Sequence, residues 1–367
     1  MTRLRLLFAP FAVAAAALVA LLVGALVACT AQGFDAQHKV DSVRLFAVRA
    51  DKPYARPGET VTLEVLLTDQ RRDKPRALKL YWIPIVCLNP RDDLYYLCFA
   101  PQPDGGSPGG PRFIPAGPLA DAGAGRDGGA DAGGLPTNPL GSIPTGVDLG
   151  PFLPQGNTFS FTMPADAIIP REGIDPYGLA IVFNIACAGK VVIVDRDPAG
   201  GPQQVPIQCQ DEDGNQLPPS DYVIGISRVY SYATRVNTNP VVQRVVVDDK
   251  DVDPQAGITV ERCTTPRRAD CQDHKIDVKV AESSWEENPN DVAGSLQQRE
   301  QIWATYYTNQ GEFTDDARLL FDTRKGRVSE SDNTYRAPAD PAEGTIWAVV
   351  HDNRGGASWV VLPLHVK

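Results

Sequence analysis

The feature that most constrains the fold is an alternation of apolar and polar residues that returns along the chain. In residues 61–68 every odd position is Val or Leu, and most positions between them are polar. A period of two also runs through Asn157–Met163, and it is typical of a strand with one face in a core. Helical periodicity of useful length is found only around Val292–Gln301. The chain is therefore predicted to be all-β.

Other segments predict further strands. Trp82 lies on a plausible third strand, Leu179–Cys187 is a nearly continuous apolar run of strand length, and Tyr222–Tyr230 is predicted as the last strand before a turn at Asn237–Pro240. Beyond this turn, strands are predicted at Val241–Val247, Ile276–Val280, Ile302–Tyr307, Leu319–Phe321, Thr345–Val350 and Ser358–Val366.

A Gly/Pro-rich stretch interrupts the first half. The chain has 32 Gly and 32 Pro residues, and residues 101–150 consist largely of Gly, Pro, Ala and Asp. With so few apolar residues to bury, this stretch is predicted to be a disordered insertion within one domain. The predicted domains are residues 39–239, which contain the insertion, and residues 240–367.

The two halves share a sequence pattern. An Asn-Thr-aromatic strand, a Pro-Ala-Asp corner and a Gly-led apolar strand occur at 157–182 and again at 333–349, and Trp303 matches Trp82. This pattern resembles the end of bacterial immunoglobulin-like domains. The resemblance implies two immunoglobulin-like β-sandwiches, the first with the insertion. A fold of this kind does not indicate a function.

The N-terminus has the parts of a secretory signal: Arg3 and Arg5, then an apolar run at Leu6–Val27. Leu26–Cys29 resembles the lipobox of bacterial lipoproteins. The resemblance implies that residues 1–28 are a cleaved signal peptide, that Cys29 is acylated, and that residues 29–38 are a tether. Several acyl chains anchor firmly, since each buried methylene contributes about 0.8 kcal/mol. Thr30, rather than Asp, favours the outer membrane.

The alternative for this segment is an uncleaved transmembrane helix. The apolar run is close to the roughly 20 residues that span a bilayer. Against this alternative, the cysteine falls at the end of the run and no basic stop-transfer cluster follows it. Both alternatives place the body outside the cytoplasm.

The other six cysteines fall in three local couples, and an even number in an exported chain favours disulfides. Six cysteines allow fifteen connectivities, of which the local pairing is the simplest. The spacings match no zinc motif. The predicted disulfide residues are Cys87 and Cys98, Cys187 and Cys209, and Cys263 and Cys271.

Charge and motifs limit the functional classes. The net charge is −10, which argues against nucleic acid as a ligand and against adhesion of the protein to anionic lipid. The chain has four histidines and lacks the sequence motifs of serine hydrolases, zinc proteases and phosphate-binding loops. His351 and Asp352 could form a dyad, but turn residues are the simpler interpretation. No catalytic residue and no cofactor are predicted.

The sequence offers candidates for two kinds of binding site. Asp211, Asp213 and Asn215 are weak calcium candidates because the closing glutamate is replaced by Tyr222, so a polar turn is favoured. Asp248–Asp253 is a second acidic cluster, interpreted as a solvated linker. Exposed aromatic residues could form a glycan platform, and the candidates are Tyr95, Tyr96, Trp285, Trp303, Tyr306 and Tyr307.

The sequence therefore predicts a lipid-anchored cell-envelope lipoprotein with a structural or partner-recognition role and no enzymatic activity. Its predicted partners are the membrane, through Cys29, and a protein or glycan. The first alternative is a glycan-binding surface adhesin. The second is an enzyme whose site is assembled from scattered acidic residues.

Overall fold

The structure, a computed structural model, describes residues 36–99, 112–115, 144–195, 205–265, 267, 270–287 and 299–367. The predicted signal peptide, Cys29 and most of the tether lie outside these residues. Residues His38–Lys367 form one compact unit, and only Ala36 and Gln37 are described from the unit that precedes it. Within the described ranges, no helix has the length and apolar content needed to cross a bilayer.

The described chain is all-β, as the alternation predicts. Strands β1–β12 make up what we call the N-terminal region: β1 Val43–Ala50, β2 Tyr54–Ala55, β3 Thr60–Asp69, β4 Lys79–Trp82, β5 Ile85–Leu88, β6 Arg112–Pro115, β7 Thr158–Thr162, β8 Ile169–Arg171, β9 Ile174–Cys187, β10 Lys190–Ile193, β11 Ile207–Gln210 and β12 Tyr222–Ser231. Short 3₁₀ helices connect strands at Arg91–Asp93, Tyr95–Phe99, Gly150–Phe152 and Glu282–Ser284.

The remaining strands make up the C-terminal region: β13 Val242–Val247, β14 Lys250–Val252, β15 Ile258–Val260, β16 Asp273–Val280, β17 Ile302–Thr308, β18 Glu312–Phe313, β19 Ala317–Asp322, β20 Gly326–Arg327, β21 Asn333–Arg336, β22 Ala342–Asp352 and β23 Ala357–Val366. They form two sheets, in the orders β14-β13-β16-β21-β18 and β15-β23-β22-β17-β19-β20. One core lies between these sheets, with Ile276 and Val278 from the first sheet and Ala304, Tyr306 and Leu362 from the second.

Strand β9 is the centre of the N-terminal region. It pairs with β4, β5, β8 and β12 in the largest sheet, whose main path is β2-β12-β9-β5-β6. Its apolar run is buried on both faces, as a nearly continuous apolar strand should be. Ala180 and Val182 face an inner core shared with the β1-β3-β7 sheet. Ile181 and Phe183 face an outer core, which also includes residues of the hairpin β10-β11.

The structure contains the three local disulfides. Cys87–Cys98 joins β5 to the 3₁₀ helix Tyr95–Phe99, and Cys187–Cys209 joins β9 to β11. Cys263–Cys271 closes a loop between β15 and β16. The first two lie in the outer core, so they tie the covering segments to the central strand.

The prediction of disorder across residues 101–150 needs a correction at two places. Arg112–Pro115 forms strand β6, which pairs antiparallel with β5. Leu149 is buried, and its backbone N–H donates to the carbonyl oxygen of Val191 at 2.7 Å. Phe113, Ile114 and Leu149 give these pieces apolar side chains to bury, which the compositional argument overlooked. Residues 101–111 and 116–143 of the predicted insertion lie outside the described residues.

The two regions meet in a buried cluster that we call the aromatic seam. It contains Phe46 and Ala47 from β1, Tyr307 from β17, Trp347 and Val349 from β22, and Val40. The ring centroid of Phe46 lies 4.7 Å from that of Tyr307 and 5.0 Å from that of Trp347. Such contacts hold the N-terminal and C-terminal sheets together by the same burial that stabilises a core.

Candidate functional site at the junction

The predicted calcium residues form a self-contained turn. Asp211 Oδ1 accepts hydrogen bonds from the backbone N–H groups of Asp213 and Asn215, both at 2.9 Å. Asp211 Oδ2 accepts one from Asn215 Nδ2 at 3.3 Å. These hydrogen bonds, with that from the Asn215 backbone foremost, lower the pKa of Asp211. Both oxygens of this carboxylate are thus engaged by the loop itself.

The second acidic cluster is a tight hairpin turn between β13 and β14. Asp248 and Asp249 have φ of 48° and 63°, which is the geometry of a two-residue type I′ turn. Asp248 also holds the buried His274, whose Nδ1 lies 2.8 Å from its Oδ2. Among the described residues, no group of three or more His, Cys, Asp or Glu side chains is arranged to hold a metal ion.

His351 and Asp352 do not form a dyad. The ring of His351 stacks on Trp303 with centroids 5.4 Å apart, and burial lowers the pKa of His351. Asp352 Oδ1 instead accepts backbone hydrogen bonds from Arg354 at 2.8 Å and Gly356 at 2.7 Å. Adjacent residues on a strand point to opposite faces, so the two side chains have separate surroundings.

Of the six aromatic residues proposed for a glycan platform, two are buried and four are half-buried. Tyr306 is fully buried in the C-terminal core, and Tyr307 is buried in the aromatic seam. Trp285 packs on the C-terminal core, under the guanidinium of Arg299. Trp303 faces away from that core, so it does not repeat the position of Trp82, which is buried in the inner core. These candidates therefore do not form one exposed surface.

Hydrogen bonds between chain segments beside the aromatic seam also join the two regions. The backbone N–H of Val40 donates to the Thr308 carbonyl at 2.9 Å, and the Thr308 N–H donates to the His38 carbonyl at 2.8 Å. On the connection between the regions, Asn239 Nδ2 donates to the Ala50 carbonyl at 2.7 Å, and its Oδ1 accepts from the Ala357 N–H at 2.9 Å. One side chain thus bonds to both regions.

A buried ionic network lies beside this connection. Arg354 Nε donates to Glu300 Oε1, and Arg354 Nη2 donates to Glu286 Oε2 at 2.8 Å. Thr238, from the connection, donates its hydroxyl to the other oxygen of Glu286. Only 1% of Glu300 is exposed, and this burial raises its pKa to about 7, with nearby Asp352 also raising it and Arg354 opposing the shift.

A set of four tyrosines, which we call the tyrosine cluster, adjoins the network on the N-terminal side. Tyr54 lies on β2, Tyr177 on β9, Tyr230 on β12, and Tyr232 just after β12. The centroids of Tyr54 and Tyr232 are 4.7 Å apart, those of Tyr177 and Tyr230 are 5.6 Å apart, and those of Tyr54 and Tyr230 are 6.2 Å apart. Tyr232 is buried, while the other three rings are half-buried.

Two guanidinium groups lie over rings of the tyrosine cluster. Arg171 lies 4.2 Å from the ring centroid of Tyr177, and Arg235 lies 4.8 Å from that of Tyr232. Each cation has an acidic partner: Arg171 Nη1 is 3.0 Å from Asp93 Oδ1, and Arg235 Nη2 is 2.5 Å from Asp175 Oδ2. The Tyr177 hydroxyl also donates to Asp93 Oδ2. The positions of both guanidiniums are therefore fixed by contacts on two sides.

Three phenols of the cluster, those of Tyr54, Tyr177 and Tyr230, stay neutral over a wide pH range. Burial raises the pKa of Tyr177 to about 12, with a further increase from its hydrogen bond to Asp93. Burial also raises the pKa of Tyr54 and Tyr230. For Tyr54, burial outweighs the smaller and opposed effects of Arg354 and Asp352 on the pKa.

Sequence reasoning missed both the ionic network and the tyrosine cluster. Glu300 and Arg354 are 54 positions apart, and the tyrosines come from three segments, with Tyr54 lying 123 positions before Tyr177 and Tyr177 lying 53 before Tyr230. One signal was available, because Tyr232 follows the predicted strand Tyr222–Tyr230 by two positions and so shares the parity of Tyr230. That parity places both rings on one face of a sheet.

Comparisons with known proteins do not place the chain in a family. No protein-family model matches the chain, and neither does any curated protein. Dimeric latent PorU from Porphyromonas gingivalis aligns at 10% identity over 89% of this chain and 24% of its own, with a TM-score of 0.20. The three N-terminal domains of the highly immunogenic outer capsid protein Hoc of bacteriophage RB49 align at 10% identity over 89% and 99%, with a TM-score of 0.17. Scores this low support no conclusion about function.

Proposed function

We propose that this protein is an exported lipoprotein of the cell envelope, anchored through lipid at Cys29, with a structural or partner-recognition role and no enzymatic activity. The lipobox-like segment Leu26–Cys29 supports the anchor, and three disulfides in the described body support export. Thr30 supports sorting to the outer membrane.

We propose further that residues 39–239 and 240–367 are two immunoglobulin-like β-sandwiches. In support, no described sheet contains strands from both sides of this boundary, and each region has a core between facing sheets. The outer core on the far face of the large N-terminal sheet is an addition that a simple sandwich lacks. Separate production of the two segments tests the boundary, because a segment that is a domain should give a cooperative melt by itself.

The observation that carries the proposed role is the fixed junction between the two regions. The aromatic seam, the bonds of Asn239 and the pairing of Val40 with Thr308 all act at one place. A body held in this way presents any recognition surface at a constant position relative to the start of the body. Such a constant geometry suits a protein that positions or captures a partner at an envelope surface.

Acyl labelling tests the anchor. A Cys29→Ser variant should lose the label and accumulate as a larger, unprocessed precursor. A Thr30→Ser variant is the matched control and should be labelled and processed like the wild-type protein. Unchanged labelling and mobility of Cys29→Ser would refute the lipid anchor.

Crosslinking in intact cells tests partner recognition. Wild-type protein should capture a defined envelope component, and the Cys29→Ser precursor should capture much less of it. A glycan-binding adhesin is the second candidate, and the half-buried tyrosine cluster is the observation that favours it.

The third candidate is an enzyme. Turnover of an envelope substrate by the purified protein would support this alternative.

A further inference from the structure

The tyrosine cluster is an aromatic surface with unusual surroundings. Three half-buried rings from neighbouring strands lie on one face of the large sheet, and the buried Tyr232 packs against them. Two large apolar side chains lie next to the ion-paired residues in the sequence and are strongly exposed, Ile174 at 60% and Val236 at 58%. The surface thus combines aromatic area with fixed polar groups.

From this combination we infer that the tyrosine cluster binds a neutral saccharide. The rings would contact the C–H faces of the sugar, and the side chains of Arg171, Asp93, Arg235 and Asp175 would bond to hydroxyl groups at its edges. The inference rests on the proposed recognition role and names the class of partner.

The fixed positions of the polar groups support this ligand class. Arg171 is held by Asp93 and by the Tyr177 ring, and its Nη2 donates to Asn89 Oδ1 at 3.3 Å. Arg235 is held by Asp175 and by the Tyr232 ring. A surface whose side chains are already ordered loses little conformational entropy when a ligand binds. Sugars offer many hydroxyl groups, which such paired donors and acceptors can bond at once.

Charge favours a neutral ligand over an anionic one. Each arginine of the cluster is matched by an aspartate, so the surface has no excess positive charge to attract phosphate or sulfate groups. The whole chain carries a net charge of −10, which disfavours anionic lipid and nucleic acid further. An aliphatic peptide would take water away from these ion pairs without offering them new hydrogen bonds, which costs binding free energy.

Titration calorimetry of the full-length, detergent-solubilised protein tests the inference. The probes are cellohexaose, maltohexaose and chitohexaose, with a proline-rich peptide as the competing ligand class. We expect one hexasaccharide to bind, and Tyr54→Leu to weaken that binding roughly tenfold, since one lost ring contact is worth about 1.4 kcal/mol. Tyr222→Leu, which changes a half-buried tyrosine at the other end of β12, should bind like wild type.

A second variant separates a loss of binding from a loss of folding. Arg235→Gln keeps most of the side-chain volume but removes the charge. It should weaken the binding of the same saccharide, while the melting temperature of the protein stays close to that of wild type. Binding of none of the hexasaccharides at millimolar concentration would overturn the inference, as would equal binding by both variants or binding of the peptide alone. These titrations do not depend on acylation, so loss of the anchor and loss of the saccharide site would be recognised separately.

Discussion

The aromatic seam and the tyrosine cluster contain similar side chains, but they differ in how far their rings are covered. In the seam, Phe46 is covered by Tyr307 and Trp347 from the C-terminal region. In the cluster, Tyr54, Tyr177 and Tyr230 pack at similar distances, yet their rings remain half open and ion pairs surround them. The seam is closed by its own chain, whereas the cluster is ordered without being closed. An ordered surface that the chain leaves uncovered is the better candidate for recognition.

Removing the central ring of the seam should have the largest effect. We expect Phe46→Ala to lower the free energy of unfolding by about 3–5 kcal/mol, because it leaves a cavity between Tyr307 and Trp347. Guanidinium denaturation followed by tryptophan fluorescence measures this loss. Phe152→Ala is the control, since Phe152 is 76% exposed, and it should change stability by less than about 0.5 kcal/mol. Equal losses in the two variants would show that the seam does not hold the regions together.

The ionic network should make the junction sensitive to pH. The folded pKa of Glu300 is about 7 against an ordinary value of 4.5, so the folded state holds a proton that the unfolded state releases between these values. The stabilisation is complete below pH 4.5 and is lost as the pH rises to 7, by as much as about 3 kcal/mol. The Glu300→Gln variant keeps a neutral side chain and should therefore gain stability relative to wild type across this range.

Denaturation midpoints of the two proteins at pH 4.5, 6 and 8 provide the measurement. The groups that face Glu300 are Arg354, Glu286 and Asp352, and they are unchanged in the variant. Their own titration therefore contributes to both profiles. Parallel profiles for wild type and Glu300→Gln would mean that the pKa of Glu300 is the same in the folded and unfolded states.

Individual hydrogen bonds should help to hold the rings of the tyrosine cluster in place. Tyr177→Phe removes the hydroxyl that donates to Asp93, and we expect it to cost about 1 kcal/mol of stability. Tyr222→Phe removes a hydroxyl that accepts an exposed bond from Gln216, and its effect should be smaller. Urea denaturation of both variants makes the comparison, and a larger loss in Tyr222→Phe would contradict a cluster ordered through Asp93.

The smallest expected effect lies at the edge of the seam. The guanidinium of Arg49 lies 4.3 Å from the ring centroid of Trp359, across the boundary between the regions. Arg49→Ala should cost about 0.5–1 kcal/mol, and Arg49→Lys should retain part of this contribution. Arg49 also pairs with Glu64 at 2.5 Å, so the Glu64→Gln background separates the two contacts. An unchanged denaturation midpoint in Arg49→Ala would show that Arg49 does not help to hold the two regions together.

Local patterns in the sequence predicted much of the fold. Alternation in residues 61–68 and the apolar run at Leu179–Cys187 gave the strands correctly, because side-chain parity on a strand depends only on neighbouring residues. The local cysteine couples gave the disulfides, since each pair lies within 22 positions. Strand β6 was missed because four residues inside a Gly/Pro-rich stretch give too short a pattern.

The junction could not be predicted in the same way. Parity shows which face of a strand a residue occupies, but it does not show which strands become neighbours or which sheets meet. Phe46 and Trp347 are ordinary apolar residues of strands far apart in the chain, and nothing local pairs them. The partners of Arg354 likewise depend on the return of β22 beside the connection at Thr238.

The pairing of Val40 with Thr308 has a consequence for biogenesis. A chain that crosses a membrane from its N-terminus delivers residues 38–40 some 270 positions before their partner on β17. Until β17 arrives, this first segment of the body lacks its hydrogen-bonding partner and is open to proteases. A chain that ends before β17 never protects it. Resistance to cleavage near His38 would therefore report that the chain has been made, and has folded, at least as far as β17.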